Sequence, residues 1–598
     1  MIGGVSKWMH HLIHIGGCRK MALYIAGNKI EYFKTVSGLK SQEETAKQYF
    51  IEYAKKINAE EKVEASFVVC FEVSDAFSED GFSVILREET LSFVGGKRGV
   101  IYAVFSFFEK IGFRFFTPEL ETYPMEDICL SDFSFAECSP FVFRDILSMG
   151  ATDKAWSLKQ KLNSDLWNTR RFTEADGGGY DFAGIPAHSL TGEFLLKPYV
   201  DSHPEYFSLK NGVRLTDGKG QICMTNEAAI EAATDEVIRL IEENRNKNIV
   251  SVSQGDNHNF CECEKCQAAV SENGLMRTYF GVVNRIAKRV KEKYPKVLVH
   301  TLVYEKLCHD IDFSLEDNVM LQYCHGQCHT HAIEDDTCGV NIETATKIRN
   351  LSKKCNNLHI WNYTNCFKYE LFEYPFIHHF LPDTRFFAEC GVKGVFNEGM
   401  HRENVDFATA YKLRSYLLAK LMWNPYMNEH EFYKHMEEFC EAFYGRGYKW
   451  VMKYLYLYKD MQGECASYDA ICPTVNGGIH NTSRPVRIIS KEKTNEFLKN
   501  AYMFLENALE EAEDDQIYRI EKLKTCVLYY ELFWTMRDIL SNGTDIEKEV
   551  VISKNQELIQ RIISQKLVIT FWGQSRENQN IELKDMGEIP PSEWNYNW

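Results

Sequence analysis

The stretch with the clearest chemical potential runs from Ile249 to Cys266 and reads IVSVSQGDNHNFCECEKC. It begins with an apolar, β-branched run, which is typical of a buried strand, and a Gln-Gly turn signal ends that run. Asp256 and Asn257 follow at the end of the predicted strand. Barrel enzymes carry their catalytic groups at this end of parallel strands, so the stretch predicts an acid and an amide at a barrel mouth.

Two further carboxylates meet the same condition. Glu305 follows Tyr304 at the end of the predicted fifth strand, and Glu398 precedes a glycine at the end of the predicted eighth strand. A carboxyl group placed there can donate or accept a proton when its surroundings bring its pKa near the working pH. Each acid also has a plainer interpretation. In that interpretation Asp256 is a turn residue, and Glu305 forms a solvent-exposed ion pair with Lys306. Glu398 is then a surface acid before a glycine turn.

Three closely spaced cysteines, Cys261, Cys263 and Cys266, form a second candidate site. The spacing supplies three thiolates, and a structural zinc needs a fourth ligand, for which His258 and Cys223 are available. The alternative is a loop whose free thiols only pack against their neighbours. A redox pair is disfavoured because no thioredoxin-like pattern surrounds the motif. We expect the three sulfurs to lie close together and to form no disulfide with distant cysteines.

A second patch rich in cysteine and histidine follows the predicted sixth strand. Its spacing fits no standard zinc finger, so we interpret it mainly as a loop over the pocket, with a catalytic metal as the alternative. The patch consists of Cys324, His325, Cys328, His329, His331 and Cys338. The sequence contains no GxSxG nucleophile motif, no P-loop and no dinucleotide fingerprint.

Composition bounds the partners of the chain. A formal net charge of −17 over 598 residues argues against nucleic acid or an anionic membrane surface as the partner. No apolar run reaches transmembrane length. The N-terminal segment lacks a clear signal peptide, and 19 scattered cysteines suggest reduced thiols, so we expect a cytoplasmic location. The oligomeric state is left open.

Alternating strands and helices from Pro140 onwards predict the elements that position these residues. Eight candidate strands in about 260 residues match a (β/α)8 barrel in number and size. We therefore predict an α/β fold, with a TIM barrel in residues 139–424, a small α/β domain in 1–138 and a helical domain with a tail in 425–598. Residues 405–423 are expected to form the last barrel helix. The candidate strands read FVFRDIL, DFAGIPAHSL, GQICMTN, IVSVSQGDN, VLVHTLVYEK, NVMLQYCHG, LHIWNYTN and GVFNEGM.

The middle of the chain resembles a known family. The strings HSLTGEFLLKPYVDSHPEYFSLKNGVRLTDGKGQICMTNEAAIEAATDEV, VSVSQGDNHNFCECEKCQA, IWNYTNCF, GVFNEGM and YLLAKLMWNP are similar, in this order, to domain-of-unknown-function family 4838. Part of that family resembles glycoside hydrolase family 163. The segment GFSVILREETLSFVGGKRGVIYAVFSFFEKIGFRFF resembles the small α/β domain that precedes barrels in hexosaminidase and α-glucuronidase families. The likeness covers residues from about 65 to 445.

The resemblance implies an endo-β-N-acetylglucosaminidase that acts on N-glycans. A retaining enzyme of this kind uses one acid and the substrate's own acetamide, and it requires no cofactor. On this basis Glu398 is favoured as the proton donor, and Asp256 with Asn257 is favoured as the group that handles the acetamide. The reverse assignment of these two acids stays open, and Glu305 is the reserve candidate. Aromatic, amide and imidazole groups near other strand ends are expected to bind the sugar. These are His188, Tyr304, Tyr323, His325, Trp361, Asn362, Tyr363 and Asn397.

Two other functions are compatible with the sequence. One is another hexosaminidase or an α-glucuronidase-like glycosidase on the same plan. The other is a carbohydrate-binding barrel without catalysis. An acid beside an acetamide-orienting residue would distinguish the enzyme from the binding protein.

Overall fold

The computed structural model describes residues 21–148, 150–167, 169–218, 220–308, 311–325, 331–364, 371, 373, 375–399, 409–462, 490–567 and 586–591. The chain divides into two compact units. The first contains Met1–Arg114 and Thr122–Glu137, and the second contains Phe115–Glu121 and Cys138–Trp598. The helices that follow residue 424 therefore belong to the same unit as the strands that precede it.

The first unit is a small α/β structure. Its helices are Ser41–Ala54 and Gly99–Lys110. Phe50 of the first helix contacts Phe93 of the sheet, with ring centroids 5.5 Å apart, so an aromatic core holds the two layers together. The six-stranded sheet has the order Phe133–Glu137, Phe82–Arg87, Thr90–Gly95, Val68–Val73, Tyr32–Ser37, Glu60–Glu61. A three-stranded sheet has the order Ile128–Leu130, Leu23–Ile25, Asn28–Ile30.

The second unit is built on eight parallel strands in one sheet, which confirms the predicted barrel. Consecutive strands pair with each other from β2 to β8, and β8 pairs with β1. For example, Glu398 is in register with Leu147 on one side and Tyr363 on the other. The strands are β1 Phe143–Leu147, β2 Ser164–Asp165, β3 Tyr180–Ala183, β4 Ile249–Ser251, β5 Leu298–Val303, β6 Val319–Cys324, β7 Leu358–Tyr363 and β8 Gly394–Glu398.

The barrel is nearly closed between β1 and β2, where a side chain replaces part of the strand ladder. The backbone N–H of Asn163 donates to the carbonyl of Arg144 at 3.2 Å. The Asn163 side chain accepts from the Arg144 N–H at 2.9 Å and donates to the Val142 carbonyl at 2.8 Å. Beside this seam, Arg170 forms a fully buried ion pair with Asp145.

One predicted barrel strand is wrong. The segment GQICMTN does not enter the barrel, because Gln221 and Ile222 form only isolated antiparallel bridges with Thr191 and Phe207. The second barrel strand is instead β2, which has only two residues, Ser164 and Asp165. Its polar residues carry no strand pattern that the sequence could reveal.

Helices surround the barrel and continue after it. The helix predicted at 405–423 is observed as Tyr411–Trp423, and residues 405–408 lie outside the described residues. None of the described helices is long and apolar enough to cross a membrane. The helices of this unit are Lys154–Lys159, Glu227–Glu243, Glu264–Asn273, Leu275–Lys293, Gly339–Lys354, Phe380–Glu389, Tyr411–Trp423, Glu429–Tyr444, Tyr448–Gln462, Lys491–Glu510, Asp515–Asn542 and Asp545–Ser564. Short strand pairs are Arg114–Thr117 with Leu120–Thr122, and Leu209–Lys210 with Val213–Arg214.

Candidate active site

The barrel interior is a packed core with a polar layer. His300 of β5 is fully buried, and its ring nitrogens lie 2.8 Å from the Gln322 Oε1 and 3.2 Å from the Ser251 Oγ. Burial lowers the pKa of His300 to about 4, so this histidine is neutral at physiological pH. The barrel interior is therefore filled and uncharged at the level of His300. The ionisable groups of the candidate site lie above this level, at the carboxyl ends of the strands.

Glu398 lies at the end of β8 with its side chain only partly exposed. The indole N–H of Trp361 donates to its Oε2 at 2.8 Å. Burial raises the pKa of Glu398 to about 7; the nearby charge of Asp256 raises it further, and the Trp361 hydrogen bond opposes the rise. A carboxyl group with this pKa can both hold and release a proton near neutral pH, which is the property of a general acid–base group.

Asp256 lies on the loop that follows β4 and is exposed. The hydroxyl of Tyr304, at the end of β5, donates to its Oδ1 at 3.1 Å. The negative charges of both Asp256 and Glu398 contribute to the raised pKa of Tyr363 and to that of Cys324. The two carboxylates therefore act on the same space at the mouth of the barrel.

His188 and Asn257 help to shape this rim. The backbone of His188 is in the left-handed region, with φ of 56°, and its Nδ1 lies 2.9 Å from the Gln254 carbonyl oxygen. The His188 ring lies 6.0 Å from the Tyr304 ring. Asn257 accepts a hydrogen bond from the Gln221 amide at 3.1 Å, so its side chain supports the loop that carries Asp256.

Four residues predicted at the rim do not join this group. Asn362 donates to Asn397 at 2.9 Å, and Asn397 in turn donates to the Met422 sulfur at 3.3 Å, in the helical layer. Tyr323 and His325 likewise pack in the outer core, where the His325 ring lies 5.9 Å from the Phe387 ring. Successive residues of a strand face opposite sides, so neighbours of inward residues point outward.

Glu305 and the second cysteine–histidine patch have a different outcome. Glu305 begins a short 3-10 helix, Glu305–Leu307, and its side chain lies outside the described residues. Cys324 packs in the barrel interior, whereas His325 faces the helices, so these two cannot share a metal. Cys328 and His329 lie outside the described residues.

Two features of this site did not follow from the sequence, namely the inward facing of Cys324 and the role of Gln221. Cys324 is an inward residue at the end of β6, and burial raises the pKa of its thiol well above the usual range. Gln221, which holds the loop of Asp256, had no signal because its partners are distant in sequence.

The predicted cysteine loop forms a cluster of four thiols, with Cys223 as the fourth member. The Cys223 Sγ lies 3.6 Å from that of Cys261, 3.7 Å from that of Cys263 and 3.8 Å from that of Cys266. None of the described cysteines is in a disulfide. Hydrogen bonds from Cys261 and Cys266 hold the pKa of Cys223 well below its usual range, and hydrogen bonds with Cys223 and Cys261 raise the pKa of Cys266.

The chain belongs to the family described as Domain of unknown function (DUF4838), whose model matches residues 115–456. No curated protein matches the sequence. Several solved structures have a similar fold. A family GH115 4-O-methyl-α-glucuronidase with specificity for decorated arabinogalactans is 10% identical, with a TM-score of 0.56 over 90% of this chain and 77% of that chain.

A GH138 enzyme targeting pectin rhamnogalacturonan II is 10% identical, with a TM-score of 0.54 over 89% of this chain and 73% of that chain. A family 89 glycoside hydrolase from Clostridium perfringens, in complex with 2-acetamido-1,2-dideoxynojirmycin, is 11% identical, with a TM-score of 0.50 over 87% of this chain and 65% of that chain. These likenesses establish the shared fold.

Proposed function

We propose that the protein is a glycoside hydrolase, and more specifically a retaining β-N-acetylglucosaminidase that acts on N-glycan-type oligosaccharides. The observation that carries this proposal is the half-buried Glu398 at the end of β8, held by the Trp361 indole at 2.8 Å, near Asp256 on the loop after β4. Burial, with a smaller contribution from the charge of Asp256, raises the pKa of Glu398 to about 7. One carboxyl group that keeps a proton near a second carboxyl group is the minimum equipment for glycosidic cleavage.

The substrate class is supported by resemblance. The sequence strings quoted above suggest a likeness to glycoside hydrolase family 163, and the chain has a fold similar to that of a GH115 α-glucuronidase and a GH138 enzyme. Another similar fold is that of the family 89 enzyme, whose bound ligand carries an acetamido group. An acetamide beside the reacting carbon makes a protein nucleophile unnecessary.

In the first step, Glu398 donates its proton to the glycosidic oxygen as the bond to the anomeric carbon breaks. The acetamide oxygen of the substrate attacks that carbon and forms an oxazolinium ion. Asp256 accepts a hydrogen bond from the acetamide N–H and stabilises the positive charge that develops there. The Tyr304 hydroxyl holds the Asp256 carboxylate in position for this role.

In the second step, Glu398 changes from an acid to a base. Glu398, now ionised, takes a proton from a water molecule as the water attacks the anomeric carbon. The oxazolinium ring opens, and the sugar is released with its original configuration. The pKa of about 7 suits both steps because it lies near the expected working pH.

The aromatic side chains of the rim fit a sugar ligand. Trp361 and Tyr363 on β7 and Tyr304 directly after β5 are inward residues, and His188 lies beside Tyr304. Aromatic faces bind the C–H surfaces of sugars, while hydroxyl and imidazole groups bind their hydroxyls.

Hydrolysis of an N-glycan panel tests the proposal, together with nitrophenyl N-acetyl-β-glucosaminide and nitrophenyl α-glucuronide. Cleavage of N-acetylglucosaminides with retention of configuration, followed by NMR, is expected. Cleavage of the glucuronide alone would favour the α-glucuronidase alternative. Binding of glycans without any turnover would favour a carbohydrate-binding protein.

A further inference from the structure

We propose that Cys223, Cys261, Cys263 and Cys266 bind one zinc ion that fixes the loop carrying Asp256. The metal site itself stands independently of the proposed function. Only its effect on catalysis depends on the role proposed for Asp256.

The spacing of the four sulfur atoms fits a single tetrahedral ion. Zinc–sulfur bonds of about 2.3 Å place the corners of a tetrahedron about 3.8 Å apart. The Cys223 Sγ lies 3.6–3.8 Å from each of the other three sulfurs, and all four lie within 4.8 Å of one another. A disulfide needs about 2.05 Å, so the cluster has the geometry of a metal site and not of a disulfide.

Neighbouring donors stabilise negative charge on the sulfurs. The backbone N–H of Leu209 donates to the Cys261 Sγ at 3.3 Å, and the Thr225 hydroxyl lies 3.1 Å from the Cys266 Sγ. The Arg214 guanidinium lies 3.8 Å from the Cys261 Sγ. Four thiolates around a divalent ion carry a net charge of about −2, which such donors offset.

The local helix makes a further contribution. Cys263 is the N-cap of the helix Glu264–Asn273, and Cys266 lies in its first turn. The positive end of the helix dipole therefore points at the cluster and favours thiolates over thiols. An all-sulfur set of four ligands selects zinc among the common divalent ions, with iron as the chemical alternative.

The cluster is connected directly to the candidate active site. Gln221, two residues before Cys223, accepts from the Gly255 N–H at 2.9 Å and donates to the carbonyls of Gly255 and Asn257 at 3.1 Å each. These two residues flank Asp256. The ligands thus lie on both chain segments that hold the Asp256 loop, and a bound ion would join the two segments.

Metal analysis of the wild-type protein tests the site. We expect about one zinc per chain after purification without chelators, and rebinding of zinc after it is removed under reducing conditions. Co²⁺ in its place should produce the visible absorption bands of a tetrahedral thiolate complex. A wild-type protein that binds no zinc under these conditions, or that contains iron or a disulfide instead, overturns the proposal.

A cysteine variant with a matched control locates the site. Cys263→Ser should lose zinc and unfold at a lower temperature. Cys390→Ser, which changes another half-buried cysteine of the same unit, should keep both properties. Retention of stoichiometric zinc by Cys263→Ser would contradict the ligand assignment. If Cys263→Ser does not fold, the metal content of the wild type still decides the matter.

Gln221→Ala tests the link to catalysis. We expect this variant to keep its zinc and to lose roughly 10–100-fold in kcat with little change in KM, because Asp256 is displaced from its working position. Unchanged kcat would show that the cluster does not position Asp256. A wild type with zinc but without glycosidase activity would instead reject the proposed function and leave the metal site intact.

Discussion

The indole N–H of Trp361 on β7 donates to the Glu398 Oε2 on the adjacent strand β8, at 2.8 Å. The same indole packs edge-on against Phe396, two residues before Glu398 on β8, with ring centroids 4.6 Å apart. Trp361 therefore acts on Glu398 in two opposite ways. Its bulk contributes to the burial that raises the pKa, and its N–H bond lowers it.

Replacement of the proposed acid should impair natural substrates most. Glu398→Gln is expected to lower turnover of unactivated glycans by roughly 10²–10⁴, the usual scale for a lost general acid. Substrates with good leaving groups should lose less, because they need little protonation in the first step. Steady-state kinetics on one substrate of each kind make the comparison, with Glu243→Gln on the helix surface as the control. Wild-type rates from Glu398→Gln would reject the role and make Glu305 the leading candidate.

The pH profile of kcat/KM should fall on its alkaline side with a midpoint near pH 7. Glu398 is the acid in the first step, and its protonated fraction decreases above its pKa of about 7. In Trp361→Phe the hydrogen bond that lowers this pKa is gone, so the alkaline limb should move to higher pH. A limb that moves to lower pH would show that the indole acts mainly through burial.

Ionisation of Glu398 should also lower the stability of the folded protein at high pH. A carboxyl pKa that is raised from its usual 4.5 to about 7 means that the folded state holds a proton that the unfolded state releases between these values. Stability therefore falls as pH rises through this window, by about 1–3 kcal/mol. Glu398→Gln should unfold at a higher temperature than the wild type at pH 8 and show little difference at pH 4. An equal difference at both pH values would contradict the raised pKa.

The acetamide-handling group should matter for every substrate. Asp256→Asn is expected to reduce turnover of both activated and natural substrates, because the oxazolinium forms in both. Tyr304→Phe removes only the hydroxyl that donates to the Asp256 Oδ1, so its loss should be smaller. Kinetics of the two variants and of the double variant measure the coupling. Additive losses would show that Tyr304 does not act through Asp256.

The buried ion pair beside the barrel seam gives a prediction about stability. Arg170→Met leaves the fully buried Asp145 without its partner and should destabilise the protein by about 3–5 kcal/mol. Arg239→Met, on an exposed helix face, should cost less than about 1 kcal/mol. Urea denaturation measures both. A similar small loss in the two variants would mean that Asp145 takes up a proton readily in the absence of Arg170.

The barrel and the proposed acids were predictable from strong local signals. Turn residues end the strands before Asp256 and after Glu398, and the strand–helix alternation is regular from β4 to β8. The sequence did not predict which residues of a strand face the barrel interior and which face the helices. Barrel strands are buried on both sides, so β6 and β7 show no alternation of polar and apolar residues that would separate Tyr323 from Cys324.

Long-range side-chain roles were also beyond the sequence. Gln221 was assigned to a strand because it opens an apolar segment, whereas its amide holds a loop more than thirty residues further along the chain. The two-residue strand β2 was missed because its pairing depends on polar side chains of the barrel seam. Such interactions follow from tertiary packing, which local propensity does not report.

The seam held by Asn163 has a consequence for how the barrel opens. Between β1 and β2 one amide side chain substitutes for a run of ladder hydrogen bonds, whereas Val299–Val303 of β5 pairs continuously with Val319–Tyr323 of β6. Amide hydrogens of β2 should therefore exchange with deuterium sooner than those of β5 and β6. The line between the first two strands is then the place where the cylinder parts first, while β8, which carries Glu398, stays paired with β1 and β7.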